Sequence, residues 1–142
     1  RGIPSYHEFS PELSRDFRGL RIWLPFQLHG VPAFQAQLQE KLDLARWAHD
    51  ELKADPHFEM LDEPQLSIVA FAAKGEPREA DARGAEILRR VNQRRRVFLS
   101  STQIDGRYVL RLCILNFRTH RDRVQAAVEG LKEEARAVFA GA

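Results

Sequence analysis

One cysteine stands in the whole chain of 142 residues, which excludes an internal disulfide and fits a reducing compartment. No apolar run approaches the roughly 20 residues that span a bilayer as a helix, and no signal-peptide pattern opens the chain. These absences lead us to expect a cytoplasmic protein with no membrane partner. An excess of one charge is also missing: a formal net charge of +2 is too small to imply nucleic acid by itself. There is no GxGxxG, P-loop, HExxH, GxSxG or paired-cysteine motif. The five histidines, His7, His29, His49, His57 and His120, are scattered without ligand spacing. We therefore expect neither a metal site nor a self-contained catalytic set, and assign no catalytic residue to the chain. Cys113 lies in an apolar strand context without a CxxC or histidine partner, so packing is its expected role.

What is present is organised around one strand, Gly106 to Asn116. Side chains alternate faces along a strand, so Tyr108, Leu110, Leu112 and Ile114 make one apolar face. The opposite face carries Arg107, Val109, Arg111, Cys113 and Leu115. Arg111 is out of place between valine and cysteine, because a guanidinium is costly to bury without an anion. An exposed second face, a local carboxylate and an anionic ligand each satisfy it.

The rest of the chain reads as an α+β layout: N-terminal helices, then a small, mostly antiparallel sheet with helices on one face. Leu13, Phe17, Leu20, Leu24 and Leu28 recur at helical spacing and predict a helix over Leu13 to His29. Pro25 is expected to kink it, and His29-Gly30 to end it. Ile22, Trp23 and Phe26 widen the stripe so far that the helix calls for cover by more protein than this chain supplies. A second helix is predicted from Pro32 to Ala54, with Phe34, Leu38, Leu42, Ala45, His49 and Leu52 inward and Lys41 facing water. His49 on that stripe reads as a core histidine. Strands follow at Phe58 to Leu61 and Leu66 to Ala73, then a helix over Glu79 to Gln93. A strand over Val97 to Thr102 leads through Asp105-Gly106 into the organising strand as a hairpin. Thr119 is expected to cap a final helix whose stripe is Val124, Ala127, Val128, Leu131, Ala135 and Val138. Helix stripes this one-sided cover one sheet face, and leave the Val109, Arg111 and Cys113 face apolar enough to need its own cover.

Arg89-Arg90 and Arg94-Arg95-Arg96 form the strongest charge run. Cations near a helix C-terminus are favourable in solvent, and no aromatic or glycine interleaving accompanies the run. A nucleic-acid partner is therefore not expected. Glu133-Glu134 and Asp62-Glu63 read as solvated charges.

Several stretches, in order, resemble one family. Leu13-Ser14-Arg15-Asp16-Phe17-Arg18-Gly19-Leu20-Arg21-Ile22-Trp23-Leu24 resembles the SRRFR-x-L-K-x-W segment of the group II pyridoxal-phosphate-dependent amino-acid decarboxylases, which include the aromatic-amino-acid and histidine decarboxylases. Asp55-Pro56-His57-Phe58-Glu59 and Leu66-Ser67-Ile68-Val69-Ala70-Phe71 are similar to the family's DPRFE and LSLVCF segments. Arg96 to Thr102, Tyr108 to Leu112 and Arg118-Thr119 resemble its final hairpin and return to the last helix.

The resemblance implies the C-terminal small domain of a fold-type I enzyme, a lyase of amino-acid metabolism. Residues 1–30 would be the lead-in and connecting helix from an absent large domain, and residues 31–142 the small domain. The chain's opening on Arg1 reads the same way. The partners implied are that large domain, a second subunit in a homodimer, and an amino-acid substrate. In the family, pyridoxal phosphate sits on a lysine of a His-Lys segment upstream and serves as the sink for the carbanion left by carbon dioxide loss. Lys41, Lys53, Lys74 and Lys132 lie in no His-Lys context, so the chain alone is not expected to hold the cofactor or to be catalytic. No cofactor-binding residue is assigned. By the resemblance, Ser14 and Arg111 are substrate-binding: Ser14 approaches the neighbouring subunit's active site, and Arg111 faces the cofactor cleft and holds the substrate carboxylate. By position, Ser14 equally suits a helix N-cap. Asp16 departs from the family's second arginine. A stand-alone α+β interaction or ligand-binding domain is the other reading of these residues.

Overall fold

A computed structural model describes residues 16–141. The chain divides into two compact units, Arg1–Ala36 and Gln37–Ala142. The helix α1 spans Arg18–Lys53. Leu13, at the predicted start, lies outside the described residues.

In the first unit the break falls at Gly30 (φ 73°, ψ 159°), and Pro25 stays inside the helix. Glycine enters that backbone region without a steric penalty, and Pro32 then serves the next segment as a first-turn residue. Phe26 and Phe34 stack across the break with ring centroids 4.2 Å apart. The apolar stripe is in solvent, with Phe17 74%, Ile22 65% and Leu28 70% exposed.

The second unit holds the sheet. Its strands are β1 Phe58–Met60, β2 Ile68–Ala73, β3 Ser100–Ile104 and β4 Arg107–Cys113, ordered β1-β2-β4-β3 with every pairing antiparallel. The organising strand is thus interior, with Leu110 opposite both Phe71 and Ser101. Asp105 (φ 51°) and Gly106 (φ 78°) form the predicted two-residue turn between Ile104 and Arg107. The helix α2, Pro77–Gln93, lies on the Tyr108/Leu110 side. A Cβ placed on Gly84 would stand 3.2 Å from the Tyr108 ring, so any side chain there obliges the ring to yield by a few tenths of an ångström. The last helix, α3 (Arg121–Ala140), adds Val124, Val128 and Leu131 to the same core as Ile87, Val91, Phe71 and Leu110.

Four local expectations are corrected. The core stripe of α1 is Leu44, Ala45, Ala48, His49 and Leu52, while Leu38 is 65% exposed. Lys41, expected in water, is buried and donates from Nζ to Glu40 Oε2 (2.8 Å) and to the Thr119 carbonyl (2.6 Å). Burial is tolerable because both contacts satisfy the ammonium. Thr119 does not cap α3; its N-cap is His120, with no side-chain cap, and the Thr119 backbone is held in a turn by Asn116 and by Lys41. The third strand begins at Ser100 rather than Val97, because the Asn92 side-chain amide takes both backbone groups of Leu99 (2.9 and 3.0 Å) before sheet pairing starts.

The basic run is largely neutralised. Arg89 and Arg90 both donate to Glu86 at 2.6 Å, and Arg94 reaches Glu133 and Glu134 at 2.5 Å. Glu133-Glu134 is therefore an ion-paired anchor between the end of α2 and α3, not a pair of solvated charges.

Two outcomes follow from this packing. Replacing Gly84 by leucine overpacks the α2–β4 contact and lowers stability by about 1–3 kcal/mol in urea unfolding. Acid acts through the paired carboxylates: the Arg89 and Arg90 guanidiniums pull the Glu86 carboxyl from 4.5 down to about 2. A depressed carboxyl stabilises the fold above its unfolded value and loses that contribution as pH falls. Unfolding midpoints should therefore drop progressively from pH 4.5 towards 2, and Glu86→Gln should flatten part of that drop.

Candidate functional site

The sheet face away from α2 is the candidate site. Alternation places Arg107, Val109, Arg111 and Cys113 of β4 on it. Register adds Ala70 and Ser100 on either side of Arg111, and Ile68 beside Cys113. Both neighbours of Arg111 are small, which leaves room for its side chain to lie on the sheet.

Part of this face is covered from within. Arg107 Nη2 donates to Glu59 Oε2 at 2.8 Å. Those residues sit on β4 and β1 with β2 between them, so the ion pair crosses the face. Glu59 pairs in register with Ala72, and Val109 follows Arg107 on the same face of β4, so the pair lies over both small side chains. Ala72 and Val109 are accordingly buried. The Arg107 guanidinium holds the Glu59 carboxyl below its ordinary value, chiefly through this hydrogen bond. The expectation that Val109 needs an external cover is thereby corrected. The bridge was not anticipated, although alternation on two strands places both of its residues on one face.

The cover ends at Arg111. Its Nε is the one buried side-chain nitrogen or oxygen without a hydrogen-bond partner among the described residues. No described carboxylate forms an ion pair with this guanidinium, so the local-carboxylate reading of Arg111 is not realised. Leaving such a donor unsatisfied costs about 1–3 kcal/mol. One pairing step further, Cys113 is exposed and Ile68 is 42% exposed. Cys113 does not pack as expected, because it sits at the strand end beyond both the bridge and Arg111. The face therefore offers one under-satisfied cation flanked by open apolar surface, a combination suited to a carboxylate on an apolar body.

The other sequence-derived positions fall apart from this face. Ser14 lies outside the described residues. Asp16, in the first unit, forms an ion pair with Arg21. His49 is buried as expected, with Nδ1 3.0 Å from Asp50. Among the lysines, Lys41 is engaged as described, Lys132 pairs with Glu51 at 2.7 Å, and Lys53 and Lys74 are exposed. No described helix is long and apolar enough to cross a membrane.

Comparison with known proteins bears on this arrangement. Aromatic-L-amino-acid decarboxylase of Cavia porcellus is 29% identical over 137 residues, covering 96% of this chain and 28% of that protein. Phenylacetaldehyde synthase of Arabidopsis thaliana is 28% identical, over 94% of this chain and 28% of its own length. The chain thus spans little more than a quarter of these curated relatives. The crystal structure of Oryza sativa TDC with PLP and tryptamine superposes with a TM-score of 0.83 at 22% identity, covering 92% of this chain and 29% of that one, and so shares the fold. Residues 3–74, half of the chain, match the model of the pyridoxal-dependent decarboxylase conserved domain, and with that match the chain belongs to the pyridoxal-dependent decarboxylase family.

Proposed function

We propose that this chain is the C-terminal small domain of a pyridoxal-phosphate-dependent amino-acid decarboxylase, a carboxy-lyase that acts on aromatic L-amino acids. Residues 1–30 lead in from a large domain of the same protein, and residues 31–142 form the small domain. The observation that carries this reading is the family match together with Arg111, whose buried Nε has no hydrogen-bond partner among the described residues on this sheet face. The substrate class rests on the name of the Cavia porcellus relative. The exposed stripe of Phe17, Ile22 and Leu28 supports a further protein surface against the first unit, from the large domain or a second subunit.

The described residues do not by themselves fit the cofactor. Lys41, the buried lysine, has its ammonium committed to Glu40 and to the Thr119 carbonyl. Lys53 and Lys74 stand in solvent, and Lys132 is paired. In this proposal the Schiff-base lysine belongs to the large domain, and no step of the reaction is assigned to this chain's lysines.

Arg111 has a positioning role towards the substrate. A bidentate guanidinium–carboxylate contact orients the amino acid and supplies the anion that Nε lacks. If the carboxylate it holds is the one that leaves, its charge disappears along the reaction coordinate. Holding it then favours the bound substrate over the transition state. Arg111 therefore contributes to binding more than to turnover. Ser14 is assigned to the substrate approach from the neighbouring subunit, beside its alternative as a helix N-cap.

Kinetics and stability test this separately. In the longer protein, Arg111→Ala should raise KM by about ten- to hundredfold, the worth of charge-assisted hydrogen bonds, with a smaller change in kcat. Unchanged KM and kcat would refute the assignment. In the chain alone, Arg111→Met should leave urea stability unchanged or raise it by up to about 1 kcal/mol, because it removes an unsatisfied buried donor. A loss of several kcal/mol would mean that Arg111 is a structural group.

A further inference from the structure

A second cleft lies at the end of the sheet, where the turn after α2, the end of β4 and the first turns of α3 meet. Its volume is about 440 Å³, inside the range of small-molecule sites. Arg96, Arg118 and Arg123 line it, and among the described residues no aspartate or glutamate does. Asn116 and Thr119 add polar groups, and the walls include Val97, Leu112, Ile114 and Val124.

Ion pairing separates these arginines from many others in the fold. Arg83, Arg89, Arg90, Arg94 and Arg107 each reach a carboxylate at 3.2 Å or less. Arg96 and Arg118 make no ion pair among the described residues, and Arg118 rests 5.1 Å over the Phe117 ring. Arg123 has only Asp122, at 3.6 Å. Three cations around one concavity, answered only by Asp122 at 3.6 Å from Arg123 and by Glu133 acting on Arg96 without a hydrogen bond, raise its potential.

Local structure holds them there. Arg95 adopts φ 55°, a left-handed turn that separates Arg96 from the paired Arg94. The Asn92–Leu99 clamp fixes the segment that follows. On the other side, Asn116 Oδ1 accepts from the Arg118 backbone N–H at 2.9 Å, ordering the turn into α3. The α3 N-terminus adds its dipole to the same potential, partly offset by Asp122 in its first turn.

We propose that this cleft binds a small organic phosphate monoester, with the oxyanion between Arg96, Arg118 and Arg123 and the apolar body against Val97, Leu112 and Ile114. A dianion answers three guanidiniums better than a single carboxylate does. The proposal does not rest on the decarboxylase reading.

Cys113 lines the cleft, is exposed and is the chain's one cysteine, so its alkylation reports on occupancy. In the 142-residue chain at low salt, Cys113 should react faster with iodoacetate, relative to iodoacetamide, than a free thiol does. That preference should vanish near 1 M salt, where the Debye length is about 3 Å. Phenyl phosphate should protect Cys113 from iodoacetamide saturably in the low millimolar range; inorganic phosphate should protect about tenfold more weakly, and phenol not at all. Arg96→Gln combined with Arg118→Gln should abolish protection and the iodoacetate preference while circular dichroism stays unchanged, and Arg89→Gln, whose partner is Glu86, should retain both. Absence of saturable protection overturns the proposal, as does protection that survives loss of both arginines. Equal protection by phenol and phenyl phosphate overturns the anion site, and equal protection by inorganic and phenyl phosphate overturns the apolar body. The iodoacetate preference in the unmodified chain needs no variant, so it remains decisive if the double substitution unfolds.

Discussion

One-sided burial governs this domain. Phe71, Leu110, Leu112 and Val69 point towards α2 and the core, so the helices stabilise the sheet from that side. Strand alternation then puts Arg107, Val109, Arg111 and Cys113 on the opposite face whatever the helices do. Everything specific about the candidate site is a consequence of that face having no helix of its own among the described residues. The chain answers with an ion pair in place of a layer: Glu59 and Arg107 reach across β2 and close over Ala72 and Val109. An exposed pair of this kind contributes little Coulomb energy, about 0–1 kcal/mol, so its effect is mainly to exclude water with its side-chain stems.

The same economy sorts the arginines. Where a glutamate is available one helical turn away, as Glu86 is for Arg89 and Arg90, the pair is local and favours the helix. Arg94 instead ties the end of α2 to α3 through Glu133 and Glu134. What sequence shows as one basic run is therefore three structures: a helix-surface pair, an inter-helix anchor, and Arg96 on the wall of a cleft. Arg111 belongs to none of them. Its Nε is buried between small neighbours without a partner among the described residues, a cost to the domain's own stability.

Much of this was legible from periodicity. The stripes of α2 and α3, the Asp105-Gly106 turn and the apolar face of β4 all follow from spacings of 3.6 and 2.0 residues. The misreadings were local competitions that no periodicity reports. Pro25 stayed inside α1 and left the break to Gly30, the expected helix end, Asn92 delayed β3, and Lys41 left the solvent because a carbonyl 78 residues away was waiting for it. Cys113 looked like core because its neighbours in sequence are apolar, but its neighbour in space is the half-open Ile68 at the sheet's end.

By itself the sequence determined the α+β class, the central strand and the presence of a guanidinium in it, since these need only the alternation and turn chemistry of one segment. Its ordered motifs also carried the family, which the match over residues 3–74 shows. Tertiary structure alone decided which charges were already spent. Whether Arg107, Arg94, Arg96 or Arg111 has a partner depends on strand order and helix packing that bring residues 39 to 48 positions apart within hydrogen-bond reach. Pairing is a property of distance, and distance between remote residues exists only once the chain has folded.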